Sequence, residues 1–164
     1  MLSLGIGTLQ RPLSVLCLGA HADDIEIGVG GTILSWLSSG AKLDVTWCVL
    51  SGGNERSSEA QSSAKAFLEG ALACDVQLGR FRDSYFPNES RNLKEWFEAL
   101  RGRIAAPDII FCHCSDDAHQ YHREVSRLTR NAFRNHLFLE YEIPKWAGDL
   151  GRPNADFPVS AKLR

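Results

Sequence analysis

Ser14-Val15-Leu16-Cys17-Leu18-Gly19-Ala20-His21-Ala22-Asp23-Asp24 is the stretch on which the fold reading turns. Ser14 to Gly19 is a compact apolar run, and such a run bounded by polar residues reads as a buried strand. The chain then turns abruptly polar at His21-Ala22-Asp23-Asp24. Gly28-Val29-Gly30-Gly31 follows, and Thr32-Ile33-Leu34-Ser35-Trp36-Leu37 reads as a helix closed by Gly40 as a C-cap glycine.

The same alternation continues outward. Leu43 to Leu50 is a second buried strand, rich in Val, Thr and Trp. Ser51-Gly52-Gly53-Asn54 is a loop, and Ala60, Ala64, Phe67, Leu68 and Ala71 then mark one helical stripe. Asp75 to Leu78 is a short strand, and Gly79 to Ser90 is polar and loop-like. Leu93, Trp96, Phe97, Leu100 and Ile104 recur at helical spacing until Pro107 breaks the pattern. Ile109 to Cys112 is a strand, Val125, Leu128, Ala132 and Phe133 mark another helix, and Leu137-Phe138-Leu139 is a last strand. This order predicts a single α/β domain over 1–164. Its architecture is a Rossmann-like, doubly wound, mostly parallel sheet with helices on both faces and strand order 3-2-1-4-5. Met1 to Arg11 reads as a frayed lead-in. The Pro- and Gly-containing tail from Pro144 has no period, and Ser160 to Arg164 reads as the opening of a helix, so the architecture is expected to run on past Arg164.

Bulk properties narrow the function classes. The 164 residues carry a net charge of -2, without the dense basic face that a nucleic acid requires. No apolar stretch reaches the length of a membrane span, and no secretory signal is visible, so the cytoplasm is the expected location. The five cysteines are Cys17, Cys48, Cys74, Cys112 and Cys114. Their number is odd, and Cys17, Cys48 and Cys112 sit within apolar strand-like runs, which reads as small buried hydrophobes in a reducing compartment. Cys112-His113-Cys114 is not read as a soft metal site. In an extended segment its two thiols share one face and His113 takes the other.

The charged turn has a distant counterpart, Asp116-Asp117-Ala118-His119-Gln120-Tyr121-His122, shortly after the strand that ends at Cys112. In a doubly wound sheet, ligands bind beyond the carboxyl ends of the strands, where neighbouring loops part. Order 3-2-1-4-5 brings the two polar loops to that point. His21, Asp24 and His122 would then supply two imidazoles and a carboxylate, the donor set of a catalytic zinc site with an open position. Asp23 would remain free to take a proton from an activated water. His119 could stabilise an oxyanion or protonate a leaving amine. Taken singly, each cluster has a plainer reading: Asp23 and Asp24 as helix caps, His119 and His122 as polar residues of a first helical turn. The Gly28 to Gly31 run lacks the full G-x-G-x-x-G register, and the preceding acidic turn would repel a pyrophosphate.

The segment Ala20-His21-Ala22-Asp23-Asp24-Ile25-Glu26-Ile27-Gly28-Val29-Gly30-Gly31-Thr32-Ile33 closely resembles the N-terminal signature of the LmbE-like (PIG-L) N-deacetylases. Arg56-Ser57-Ser58-Glu59, His119-Gln120-Tyr121-His122-Arg123 and Leu139 to Pro144 resemble later elements of that family. The resemblance implies a zinc-dependent hydrolase that removes an N-acetyl group from an amino sugar or sugar conjugate, with ferrous iron an alternative metal. It places the metal ligands on His21, Asp24 and His122, the general base on Asp23, the auxiliary histidine on His119 and a substrate-binding role on Arg56. Arg56 and Glu59 would serve equally as a surface pair at a helix start. The implied partner is a small N-acetylated sugar, with no nucleic acid and no membrane, and a homo-oligomer is compatible. Ala22 stands where the family usually has proline, and Tyr121 where it has aspartate. The second departure, with the early end of the chain, motivates an alternative: a catalytically impaired metal- or sugar-binding relative of the same fold.

Overall fold

A computed structural model describes residues 11–51, 57–83, 85–144 and 151–159. Five parallel strands form one sheet in the order β3-β2-β1-β4-β5. They are β1 (Leu13–Gly19), β2 (Leu43–Val49), β3 (Ala73–Leu78), β4 (Ile109–His113) and β5 (Leu137–Tyr141). The expected α/β architecture and strand order are both present. Arg56, which the sequence assigns to substrate binding, lies outside the described residues, as do the Gly52 to Asn54 loop and the Ser160 to Arg164 segment.

β1 lies at the centre and is buried on both sides. Its side chains alternate between two cores, as the pleat dictates. Leu13, Val15 and Cys17 enter one core with Val45, Trp47, Ile33, Trp36 and Ala64. Leu16 and Leu18 enter the other with Ile110, Leu93, Phe97, Leu100, Val125 and Leu128. The first core is covered by helices α1 (Gly31–Ser38) and α2 (Ser57–Phe67), the second by α3 (Ser90–Arg103) and α4 (Gln120–Ala132). The change of face falls between β1 and β4, so the connections leaving these two neighbours diverge and open a crevice at their carboxyl ends.

α1 stops as its sequence requires. Gly40 adopts a φ of +84°, Gly40 N–H bonds Leu37 O, and Ala41 N–H bonds Trp36 O. This is a Schellman closure, for which glycine carries no Cβ penalty. Two elements depart from the sequence expectation. A π-helical turn, Glu26–Gly30, precedes α1, where the sequence reading begins the helix only at Thr32. Gly28 and Gly30 permit it: a Cβ on the first would strike the Tyr141 ring, and one on the second the Phe67 ring. The stretch Gly79 to Ser90 is also more than a polar loop. It holds a 3-10 turn at Phe86–Glu89, and Phe86 is fully buried in the second core.

Candidate metal centre

The β1 loop is short and held by its own backbone. Leu50 N–H and Ser51 N–H bond Gly19 O and Ala20 O, tying the end of β1 to β2. His21 N–H donates to Asp24 Oδ2 at 2.7 Å, and Ile27 N–H to Asp23 O at 3.0 Å as the helical turn begins. Asp24 is thereby turned inward, 1% exposed, while Asp23 stays exposed on the outer side of the turn.

The β4 loop is longer and ends in α4. His122 falls on the buried stripe of that helix with Val125, Ser126 and Thr129. Helical spacing therefore drives its ring toward the sheet. His119 precedes the helix in extended conformation. Its ring lies edge-on to His21, with centroids 5.1 Å apart, and 4.5 Å from His122. The structure thus brings His21, Asp24, His119 and His122 together, and exposed Asp23 precedes Asp24 in the same turn.

Three donor atoms converge. His21 Nδ1 lies 3.2 Å from Asp24 Oδ2, His122 Nε2 lies 3.4 Å from the same oxygen, and the two nitrogens are 3.4 Å apart. Tetrahedral ligands bound at the usual zinc distances sit about 3.3–3.5 Å from one another. Direct N–H···O bonds run about 2.7–3.2 Å, so the 3.2 Å contact sits at their upper limit and the two 3.4 Å separations beyond it. His122 Nδ1 faces Asp117 Oδ2 at 2.8 Å, which places a proton on Nδ1 and leaves the Nε2 lone pair aimed at a carboxylate. Such a convergence calls for positive charge at its centre. Asp24 Oδ1 is buried and has no hydrogen-bond partner among the described residues. The donor set, its spacing and this orphaned oxygen all fit a divalent cation.

Electrostatics agree with an ionised Asp24. Burial opposes its charge, but the imidazoles of His113, His122 and His21 around it outweigh that cost and hold the carboxyl well below the ordinary range. His113 is the residue that the sequence reading passed over. It does take the face opposite Cys112, as alternation demands, but that face is the crevice. Its Nε2 sits 3.1 Å from Asp24 Oδ2 and 3.0 Å from Ala20 N. Burial pushes its imidazolium form down against the opposing pull of Asp24, so the ring is neutral near pH 7. The available signal was positional: His113 is the last residue of β4, beside the end of β1. The Cys-His-Cys pattern drew attention to thiols instead.

His113 does not join the ligand set. Its ring stacks on His122 at 3.8 Å between centroids and 6° between planes, and an imidazole binds an ion near its own ring plane. Two stacked, parallel rings offer no shared point, which also excludes His113, Asp117 and His122 as a second centre. His21 and His122, inclined at 61°, converge readily. Tyr141 closes the floor: its hydroxyl donates to Leu18 O at 2.7 Å and lies 3.4 Å from His113 Nε2. Burial holds that phenol far above its ordinary pKa, hence neutral.

Comparison with known proteins places the chain in a family. A family model described as PIG-L, GlcNAc-PI de-N-acetylase, matches residues 16–133. Among solved structures, a triple mutant of the Orf2 deacetylase of teicoplanin biosynthesis aligns over 92% of this chain and 76% of its own, with TM-score 0.69 and 14% identity. The N,N'-diacetylchitobiose deacetylase of Pyrococcus horikoshii aligns over 73% of this chain with TM-score 0.53 and 24% identity. This chain spans only 48% of that enzyme's length. The 4-carboxy-2-hydroxymuconate hydratase GalB of Pseudomonas putida KT2440 shares the fold at TM-score 0.50 and 18% identity, over 73% of this chain and 55% of its own. The architecture alone therefore does not dictate the reaction.

Proposed function

The chain belongs to the PIG-L (GlcNAc-PI de-N-acetylase) family, and from that premise we propose that it is a metal-dependent amidohydrolase that removes the acetyl group from an N-acetylated amino sugar or its conjugate. The observation that carries the reading is the triangle of His21 Nδ1, Asp24 Oδ2 and His122 Nε2, with separations of 3.2, 3.4 and 3.4 Å. A divalent cation held by these residues, zinc in the leading assignment, supplies Lewis-acid polarisation of the acyl carbonyl and a water nucleophile at neutral pH.

The remaining work falls to side chains of this chain. Asp23, exposed beside the centre, accepts a proton from the attacking water as its oxygen bonds to the acyl carbon. His119, on the wall formed with His21 and His122, stabilises the developing oxyanion as an imidazolium. The amide C–N bond then breaks, a proton passes to the departing nitrogen, and acetate and a free amine leave. Buried His113, whose Nε2 accepts the Ala20 N–H, packs beside Asp24.

Amine release over a panel of N-acetylated amino sugars, with parallel metal analysis, tests this. The wild-type chain should release amine. Asp23→Ala should cost about 10²–10⁴-fold in turnover, the usual worth of a positioned general base, with metal content unchanged. Undiminished turnover in that variant removes Asp23 from the role. One observation favours a second reading, a relative that binds metal or sugar without catalysis. Tyr121 replaces the expected aspartate, and its ring packs into the core against Phe86 at 5.2 Å. Bound metal with no amine released across the panel selects that reading.

A further inference from the structure

Tyr121 leaves the site without a carboxylate at that position, yet a carboxylate reaches the centre from elsewhere. Asp117 lies on the β4 loop, five residues before His122, and its side chain is only 7% exposed. Its two oxygens do different things. Oδ2 faces His122 Nδ1 at 2.8 Å, and Oδ1 accepts the His119 backbone N–H at 2.7 Å. Arg123, from the first turn of α4, donates to Asp117 O and Ala118 O and holds the segment in place. One side chain therefore sets the ring of one histidine and the backbone of the other.

We propose that Asp117 is the positioning residue of the metal centre, fixing His122 in the tautomer that presents a bare Nε2 toward Asp24 and His21. This rests on the metal-centre reading above. The chemistry is specific to a carboxylate. An ionised carboxylate only accepts, so His122 must carry its proton on Nδ1, and the nitrogen facing the triangle is left as a donor of electrons. Outer partners of this kind orient the ligand and raise its basicity, and their loss typically weakens metal binding 10–100-fold.

The test is zinc affinity of the full chain, measured by competition with a chromophoric chelator, together with the melting temperature of the metal-free protein. The variants are Asp117→Asn, Asp117→Ala and His122→Ala. Asparagine keeps an oxygen for the His119 N–H, so a role limited to turn geometry predicts near-normal affinity in Asp117→Asn and a loss only in Asp117→Ala. The tautomer role predicts the reverse order. The new amide donates to His122 Nδ1 and forces the proton onto Nε2, so Asp117→Asn should bind zinc 10–100-fold more weakly than wild type and no better than Asp117→Ala, with its melting temperature retained. Asp117→Asn binding zinc as wild type does, or much more tightly than Asp117→Ala, overturns the proposal alone. Wild type and His122→Ala binding zinc equally overturns the metal centre itself, and the role of Asp117 with it.

Discussion

The two loops that meet at the centre are built on different plans. The β1 loop is a four-residue turn locked by main-chain bonds, with Asp24 Oδ2 capping His21 N–H within the same turn and the end of β1 stitched to β2. The β4 loop has a main-chain turn of its own, Asp117 N–H to Cys114 O, and a stitch to β5, Cys114 N–H to Tyr141 O, and adds to these side-chain bonds from within the loop and from neighbouring elements. Asp117 takes the His119 N–H, Arg123 clamps two carbonyls, and Glu140 of β5 accepts Ser115 N–H while paired with Arg130 of α4. A turn closed by its own backbone leaves a compact sequence signature. A loop closed partly by distant side chains scatters its signature over several elements.

The contrast can be broken most sharply at Asp24. Asp24→Ala removes the oxygen on which three imidazoles converge. Metal affinity should fall by more than the roughly 100-fold seen for outer-shell losses, and the stranded polar groups should cost about 1–3 kcal/mol of stability. Metal analysis and thermal melting check both. Gly28→Ala attacks the same turn from beneath, where the new methyl would strike the Tyr141 ring. Overpacking of this kind costs about 1–3 kcal/mol, readable as a lower melting temperature, and an unchanged value would show that Tyr141 yields easily. Arg123→Ala loosens only the other loop. Two exposed hydrogen bonds at about 0.5–1.5 kcal/mol each should alter global stability little, whereas amide exchange over 115–119 should quicken while 20–24 stays protected. Equal change in both loops would erase the distinction.

The smallest effect is expected far from either loop. Asp108, before β4, is held below the ordinary carboxylate range by its hydrogen bond from Arg11, and its Oδ2 accepts Ser14 N–H at 3.0 Å. A lowered folded-state pKa contributes stability above the unfolded value of about 3.9, lost as pH falls through the folded value. Asp108→Asn should therefore narrow the stability gap between neutral and acid pH slightly, and a denaturation series from pH 6 to 2 would show it. Because Arg11 is exposed, the contribution is small.

What could be read in advance divides along the same line. Buried strands separated by stripes at helical spacing were enough for the sheet and its order, since right-handed crossovers leave few alternatives. His21, Asp23 and Asp24 stood out because their turn is contiguous. His119 and His122 were visible as a pair. His113 and Asp117 were not, because their roles depend on a ring stacked across β4 and α4 and on a carboxylate folded back over five residues. Phe86 was hidden in a polar stretch for a similar reason: a single buried aromatic has no period.

Tyr141 has a wider consequence. Its ring lies against Gly28 and its hydroxyl is spent on Leu18 O, beneath fully buried His113 and His122. Among the described residues the side below the triangle is buried, while exposed Asp23 and half-buried His21 and His119 face toward solvent. On the proposed reading, substrate would arrive and both products would leave on that solvent-facing side, so products would have to clear it before the next substrate could enter.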